Sequence, residues 1–128
     1  MKIRPYHLKD AASVWDLHST AADSANVDAR DSYFRDLKGI EEHFLVSGGE
    51  FLIAKMRREI VGMRGMLTLD QGEGQIKSMR VHPQYQRMGI GSAILSKLEE
   101  KAKLRGIERL KLDTLETQFE ARRFYEKS

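Results

Sequence analysis

The chain has 128 residues, with 22 Lys and Arg against 19 Asp and Glu, a formal net charge of +3. Its 41% hydrophobic and 32% charged residues are the balance of one folded domain, residues 1–128, and exclude a disordered chain. The absence of cysteine excludes disulfides, thiolate metal sites and a cysteine nucleophile, and it fits a reducing, cytoplasmic setting.

Ile3 to Tyr6 is a short β-prone run. Asp10 has the chemistry of an N-cap for a helix through His18, where Ala11, Val14, Trp15 and His18 recur at helical spacing. Ser19 to Asp31 is small and polar and reads as a loop. A second helix is predicted from Asp31 to His43, with Tyr33, Phe34 and Leu37 on its apolar side and Gly39 near its end. Phe51 to Met56, Ile60 to Leu69 and Gln75 to Val81 then read as three strands of an antiparallel meander. Gly62 and Gly65 inside the second of these point to a bulge or a close backbone approach. After His82-Pro83 the period changes: Ile94, Leu95, Leu98 and Ala102 share a helix face, and Gly106 closes that helix as a C′ glycine. Arg109 to Thr114 reads as a strand and Glu120 to Lys127 as a last helix.

The order is β-α-α-β-β-β-α-β-α, a mixed α/β (α+β) domain with helices covering a mostly antiparallel sheet. No segment has the length and apolarity of a signal peptide or a membrane span, so no membrane partner is expected. Basic residues are interleaved with acidic ones, and no clustered basic, aromatic-bearing face suggests nucleic acid. The four histidines show no ligand spacing, and no metal is expected.

The most informative stretch is Val81 to Ser92, VHPQYQRMGIGS. Gly89 and Gly91 sit where a helix begins, and the first turn of a helix has N–H groups without intrahelical partners, at the positive end of the macrodipole. With Arg87 beside them they describe an anion cradle suited to a phosphate or diphosphate. A P-loop is excluded because no lysine follows Gly91. A dinucleotide fingerprint lacks its third small residue at Ile94 and a parallel βαβ setting, although Asp113 sits at the expected distance downstream. An ordinary glycine-containing helix start remains the alternative.

The run Gln86-Arg87-Met88-Gly89-Ile90-Gly91, after a Val-x-Pro strand end, resembles the Gln/Arg-x-x-Gly-x-Gly/Ala motif of the GNAT N-acetyltransferases. IRPYHLKDAASVW is similar to that family's first strand and helix, EIVGMRGML to its third strand and ARRFYEKS to its helix near the C-terminus. The resemblance implies a GNAT-type fold and transfer of acetyl from acetyl-CoA (coenzyme A) to an amine by direct attack in a ternary complex. It also implies that Gln86, Arg87, Met88, Gly89, Ile90, Gly91 and Ser92 hold the cofactor's diphosphate and that the Met79 and Val81 backbone pairs with its pantetheine arm. Tyr125 matches the family tyrosine that protonates the departing thiolate; packing of a helix is the alternative role. Gln118 falls where relatives place Asn or Gln near the cofactor, or it is a loop or cap residue.

The match departs from the family in two places. The usual glutamate at the start of the fourth strand is Gln75, which leaves Glu73 and Asp113 as candidates for a water-mediated base or as solvated acids. GNAT chains also continue past the tyrosine helix with Gly-Phe and two strands, whereas this sequence ends at Ser128. A truncated or partly ordered chain is the first reading of that departure, with strands supplied by a partner molecule or a minimal variant as the others; if the chain ends there, the bare edge of its fifth strand would recruit a second copy, and a homodimer is expected. A non-catalytic module that binds acyl-CoA is the rival to the enzyme. Asp23, Asp28, Asp31, Asp36, Glu41 and Glu42 make the side formed by the N-terminal helices acidic, as an amine acceptor would favour or as solvated helix faces would show.

Overall fold

Hairpin turns join the three central β-prone runs, and the computed structural model shows them as the middle of a five-stranded sheet. It describes residues 1–25, 39–46, 48–69 and 72–112. The strands are β1 Lys2–Pro5, β2 Glu50–Met56, β3 Glu59–Thr68, β4 Glu73–Val81 and β5 Arg109–Leu112, in the spatial order β1-β2-β3-β4-β5. Neighbours from β1 to β4 are antiparallel, and β4 with β5 is parallel. A parallel pair needs a crossover, and helix α2, Ile90–Leu104, supplies it. The other long helix, α1, spans Ala11–Ala25.

Each face of the sheet is covered by its own helix. Ile90, Ile94, Leu98 and Ala102 recur every fourth residue of α2 and pack on Leu52, Ala54, Val61, Met66 and Ile76. On the opposite face Ala11, Val14 and Leu17 of α1 join Tyr6, Phe44, Phe51, Ile53 and Met63. Each large apolar side chain so buried contributes roughly 1.5–3 kcal/mol. The two glycines of β3 mark close approaches, one on each face. A Cβ on Gly62 would lie 2.7 Å from Ile90 Cγ2, and one on Gly65 would lie 2.5 Å from the Phe44 ring. Phe44 belongs to a single π-helical turn, Glu41–Val46, and its ring meets Phe51 edge-on at 5.0 Å.

Two bulges set the faces. Lys55 pairs with Ile60 while Ala54 pairs with Gly62, which makes Val61 an extra residue in β3. On β4, Met63 pairs with Arg80 and Gly65 with Lys77, so Arg64 faces two residues, Ser78 and Met79. The inserted residue brings Ile76 and Val81, five apart, to the same α2-covered face.

Several boundaries differ from the expected ones. The loop read from Ser19 is helical through Ala25, where Ala21, Ala22 and Ala25 supply strong helix formers. The second helical region runs on past His43 to Val46 in its described part, and Tyr33, Phe34 and Leu37 lie outside the described residues. β4 starts at Glu73, two residues earlier than expected, so Glu73 is a strand residue and not part of the turn. Asp10 is not a simple N-cap. It sits in a short 3₁₀ turn, Leu8–Asp10, and its carboxylate accepts Arg4 Nη1 at 2.8 Å, Arg4 Nη2 at 2.9 Å and the His7 N–H at 2.9 Å. That bidentate pair locks the exit of β1 to the start of α1. The last helix, Glu120 to Lys127, also lies outside the described residues.

Two measurements check this packing. Gly65→Ala must displace the buried Phe44 ring and should cost about 1–3 kcal/mol by chemical denaturation. Hydrogen bonds from Arg4, outweighing the opposing effect of burial, hold the Asp10 carboxyl below its usual range. Its stabilisation is therefore present above the ordinary carboxylate value of about 3.9 and is lost as pH falls through the lower folded value. Asp10→Asn should lower stability by about 1–3 kcal/mol at neutral pH and flatten the acid limb of the Tm profile.

Candidate functional site

β4 delivers the chain to the start of α2 through a turn with defined hydrogen bonds. The His82 N–H donates to Val61 O at 2.8 Å, and the 3₁₀ turn Pro83–Tyr85 follows. His82 Nδ1 accepts the Gln84 N–H at 3.1 Å, which ties this residue into the turn. Gln86 is extended, Arg87 has φ 65°, and Gly89 is the N-cap of α2 at φ 79°. A non-glycine residue in the left-handed region costs about 1–2 kcal/mol, and such strain gathers at binding sites. Alternation of backbone hand turns N–H groups inward and shapes a concavity for an anion.

The helix start is bare. The first intrahelical bond is Ala93 N–H to Gly89 O at 3.0 Å, which leaves the N–H groups of Ile90, Gly91 and Ser92 without helical acceptors. Gly89 has no side chain to cap them, and the first turn carries no acidic residue. Gln86, Arg87, Met88, Gly89 and Ser92 are exposed, and a Cβ on Gly89 would meet nothing within 4 Å. Ile90 is different: its side chain is buried at 3% exposure, so only its backbone faces the cradle. The residues present therefore fit a diphosphate: bare backbone donors at a helix N-terminus stand beside open space at Gly89, and the exposed Arg87 is in the same loop.

The remaining candidates divide between places. Val81 ends β4 next to this loop, and the backbone of Met79 lies in the β4 bulge. Glu73 is at the other end of the strand, about 20 Å from Met79 at roughly 3.3 Å per residue. Its carboxylate lies 3.1 Å from Lys111 Nζ and 3.8 Å from Arg109 Nη1, so it bridges the start of β4 to β5. Gln75 follows on β4 opposite Lys111. Asp113, Gln118 and Tyr125 lie outside the described residues. Among the described residues no group of three His, Cys, Asp or Glu is arranged to hold a metal ion, and no helix is long and apolar enough to cross a membrane. What the sequence did not reveal is the β4 bulge and the left-handed Arg87.

The model of the acetyltransferase (GNAT) family matches residues 12–128. The chain belongs to the GNAT family. A solved GNAT acetyltransferase from Staphylococcus aureus Mu50 superposes with a TM-score of 0.80 at 27% identity, covering 98% of this chain and 81% of that one. The PaiA N-acetyltransferase of Thermoplasma acidophilum, solved in complex with coenzyme A, shares the fold at a TM-score of 0.77 and 17% identity, over 98% of this chain and 86% of that one. Among curated proteins, the uncharacterized N-acetyltransferase YsnE of Bacillus subtilis is 40% identical over 56 residues. That stretch is 44% of this chain and 37% of YsnE, so the match spans little more than a third of the relative's length. As a GNAT chain, the protein has its family motif in the loop where the backbone donors are bare.

Proposed function

We propose that the protein is an N-acetyltransferase that takes acetyl from acetyl-CoA and delivers it to a primary amine. The observation that carries this reading is the open, uncapped start of α2 at the end of a bulged β4, in a chain of the GNAT family. The coenzyme A complex of PaiA supports the same ligand class here. When bound, acetyl-CoA supplies an acetyl group as a thioester, activated toward attack by nitrogen.

In this reading the N–H groups of Ile90, Gly91 and Ser92 hold the diphosphate, Arg87 adds a full positive charge, and Gln86, Met88 and Gly89 shape the rim. The backbone of Met79 and Val81 borders the pantetheine arm by strand addition. A bulge there interrupts the regular ladder and frees main-chain groups for a ligand. Gln118 contacts the cofactor and Tyr125 donates a proton to the leaving thiolate, a role that a phenol fills at hydrogen-bond range. Asp113 directly follows Leu112, the β5 partner of Ile76, and accepts the amine proton through water. Glu73, engaged by two cations at the far end of β4, joins the strands. With no cysteine in the chain, acetyl passes directly to the amine in a ternary complex. The engagement of Glu73 and the presence of Gln75 favour the rival, a module that binds acyl-CoA without turnover.

A thiol-release assay across a panel of amines separates the two. The proposal expects coenzyme A release that depends on an added amine and falls at least tenfold in kcat in Tyr125→Phe. Gly89→Val, which places a branched residue at a left-handed position in the open cradle, should raise the KM for acetyl-CoA more than tenfold. Tight acetyl-CoA binding with no release for any amine would establish the module instead.

A further inference from the structure

We propose that His82 is a positioning residue for the donor loop and makes the loop's grip on a diphosphate depend on pH. The inference rests on the reading of that loop as a coenzyme A cradle. Four contacts converge on this one residue. Its N–H donates to the O of Val61, the bulge residue of β3, at 2.8 Å. Its carbonyl accepts the Tyr85 N–H at 2.8 Å, and its ring meets the Tyr85 ring edge-on at 5.6 Å. Its Nδ1 accepts the Gln84 N–H at 3.1 Å, so the neutral ring carries its proton on Nε2. That nitrogen lies 3.8 Å from Glu59 Oε1, beyond hydrogen-bond length.

The loop therefore starts from an anchor that works in only one protonation state. When the imidazole takes up a second proton, Nδ1 becomes a donor facing another donor, the Gln84 N–H, and the cap is lost. A cavity of about 260 Å³ borders the ring, lined by Asp16, Ser13 and Thr20 of α1, Glu59 of β3 and Arg58 of the β2–β3 turn. Two carboxylates, Glu59 and Asp16, are thus available to a charged imidazolium, opposed by the Arg58 guanidinium. A ring drawn toward them leaves Gln84 uncapped and frees the segment that leads to Arg87 and Gly89. His82 touches no substrate in this scheme; it acts through the turn.

The test is calorimetric titration of coenzyme A at pH 7.5 and 5.5 into wild type, His82→Asn and His82→Ala, with Tm recorded for each. Asn presents a side-chain oxygen to the Gln84 N–H but does not titrate. Protonation of the ligand's own phosphate is common to all three proteins and cancels in the comparison. The expected result is near-wild-type affinity for His82→Asn at pH 7.5, with a loss on acidification several-fold smaller than that of wild type. His82→Ala should bind about fivefold more weakly at pH 7.5. Parallel pH dependence in wild type and His82→Asn would overturn the inference while leaving the cradle intact. Wild type that ignores coenzyme A at pH 7.5 would overturn the cradle itself.

Discussion

The placement of the site depends on how closely α2 lies on β3. Gly62 has no side chain, and Ile90 and Ile94 occupy the space that one would fill. Both isoleucines are buried, and they are the first and second members of the helix stripe. A helix seated this way cannot slide along its axis without lifting two large side chains out of the core, at roughly 2 kcal/mol each. Its first turn is consequently held at the end of β4, where the loop has to reverse direction within a few residues. Left-handed backbone at Arg87 and Gly89 is the local cost of that reversal, and bare N–H groups facing open space are its product.

The far end of the sheet is tied by charge. Glu73 bridges β4 to Arg109 and Lys111 of β5, and the Gly72 carbonyl accepts the Glu108 N–H at 2.8 Å. Arg105, after the last turn of α2, pairs with Glu50 at 2.8 Å and donates to the Gly48 carbonyl, joining the helix to the start of β2. The exposed pairs among these are individually weak. The Glu73 pairs and the Gly72 carbonyl together hold the register of β4 with β5 at one end, while the bulge at Ser78 and Met79 breaks the regular ladder near the other. The charged clamp and the candidate binding edge thus occupy opposite ends of one strand.

Much of this was legible in the residues because it is local. The meander, the C′ glycine at Gly106, the close approaches at Gly62 and Gly65 and the glycine-marked start of α2 all follow from short-range pattern. What was misread depends on partners distant in sequence or on competing local chemistry. The β4 bulge is a property of its pairing with β3, and no pattern within Lys77 to Arg80 announces it. Asp10 has the short side-chain oxygen acceptor of a favoured N-cap, yet Arg4, arriving from β1, claims both its oxygens. The stretch after Ser19 is polar enough for a loop, but its alanines carry α1 to Ala25. Glu73 stands between Gly72 and Gly74, the setting of a turn residue, yet parallel pairing with Arg109 draws it into the strand.

The central claim is that main-chain N–H groups at the head of α2 grip a diphosphate. Backbone amide NMR shifts during titration test it most directly, with coenzyme A compared against pantetheine, which lacks the diphosphate. The account predicts large, saturable downfield shifts at Gly89, Ile90, Gly91 and Ser92 with coenzyme A and none at those amides with pantetheine. Shifts confined to other parts of the chain, or equal responses to both ligands, would contradict it.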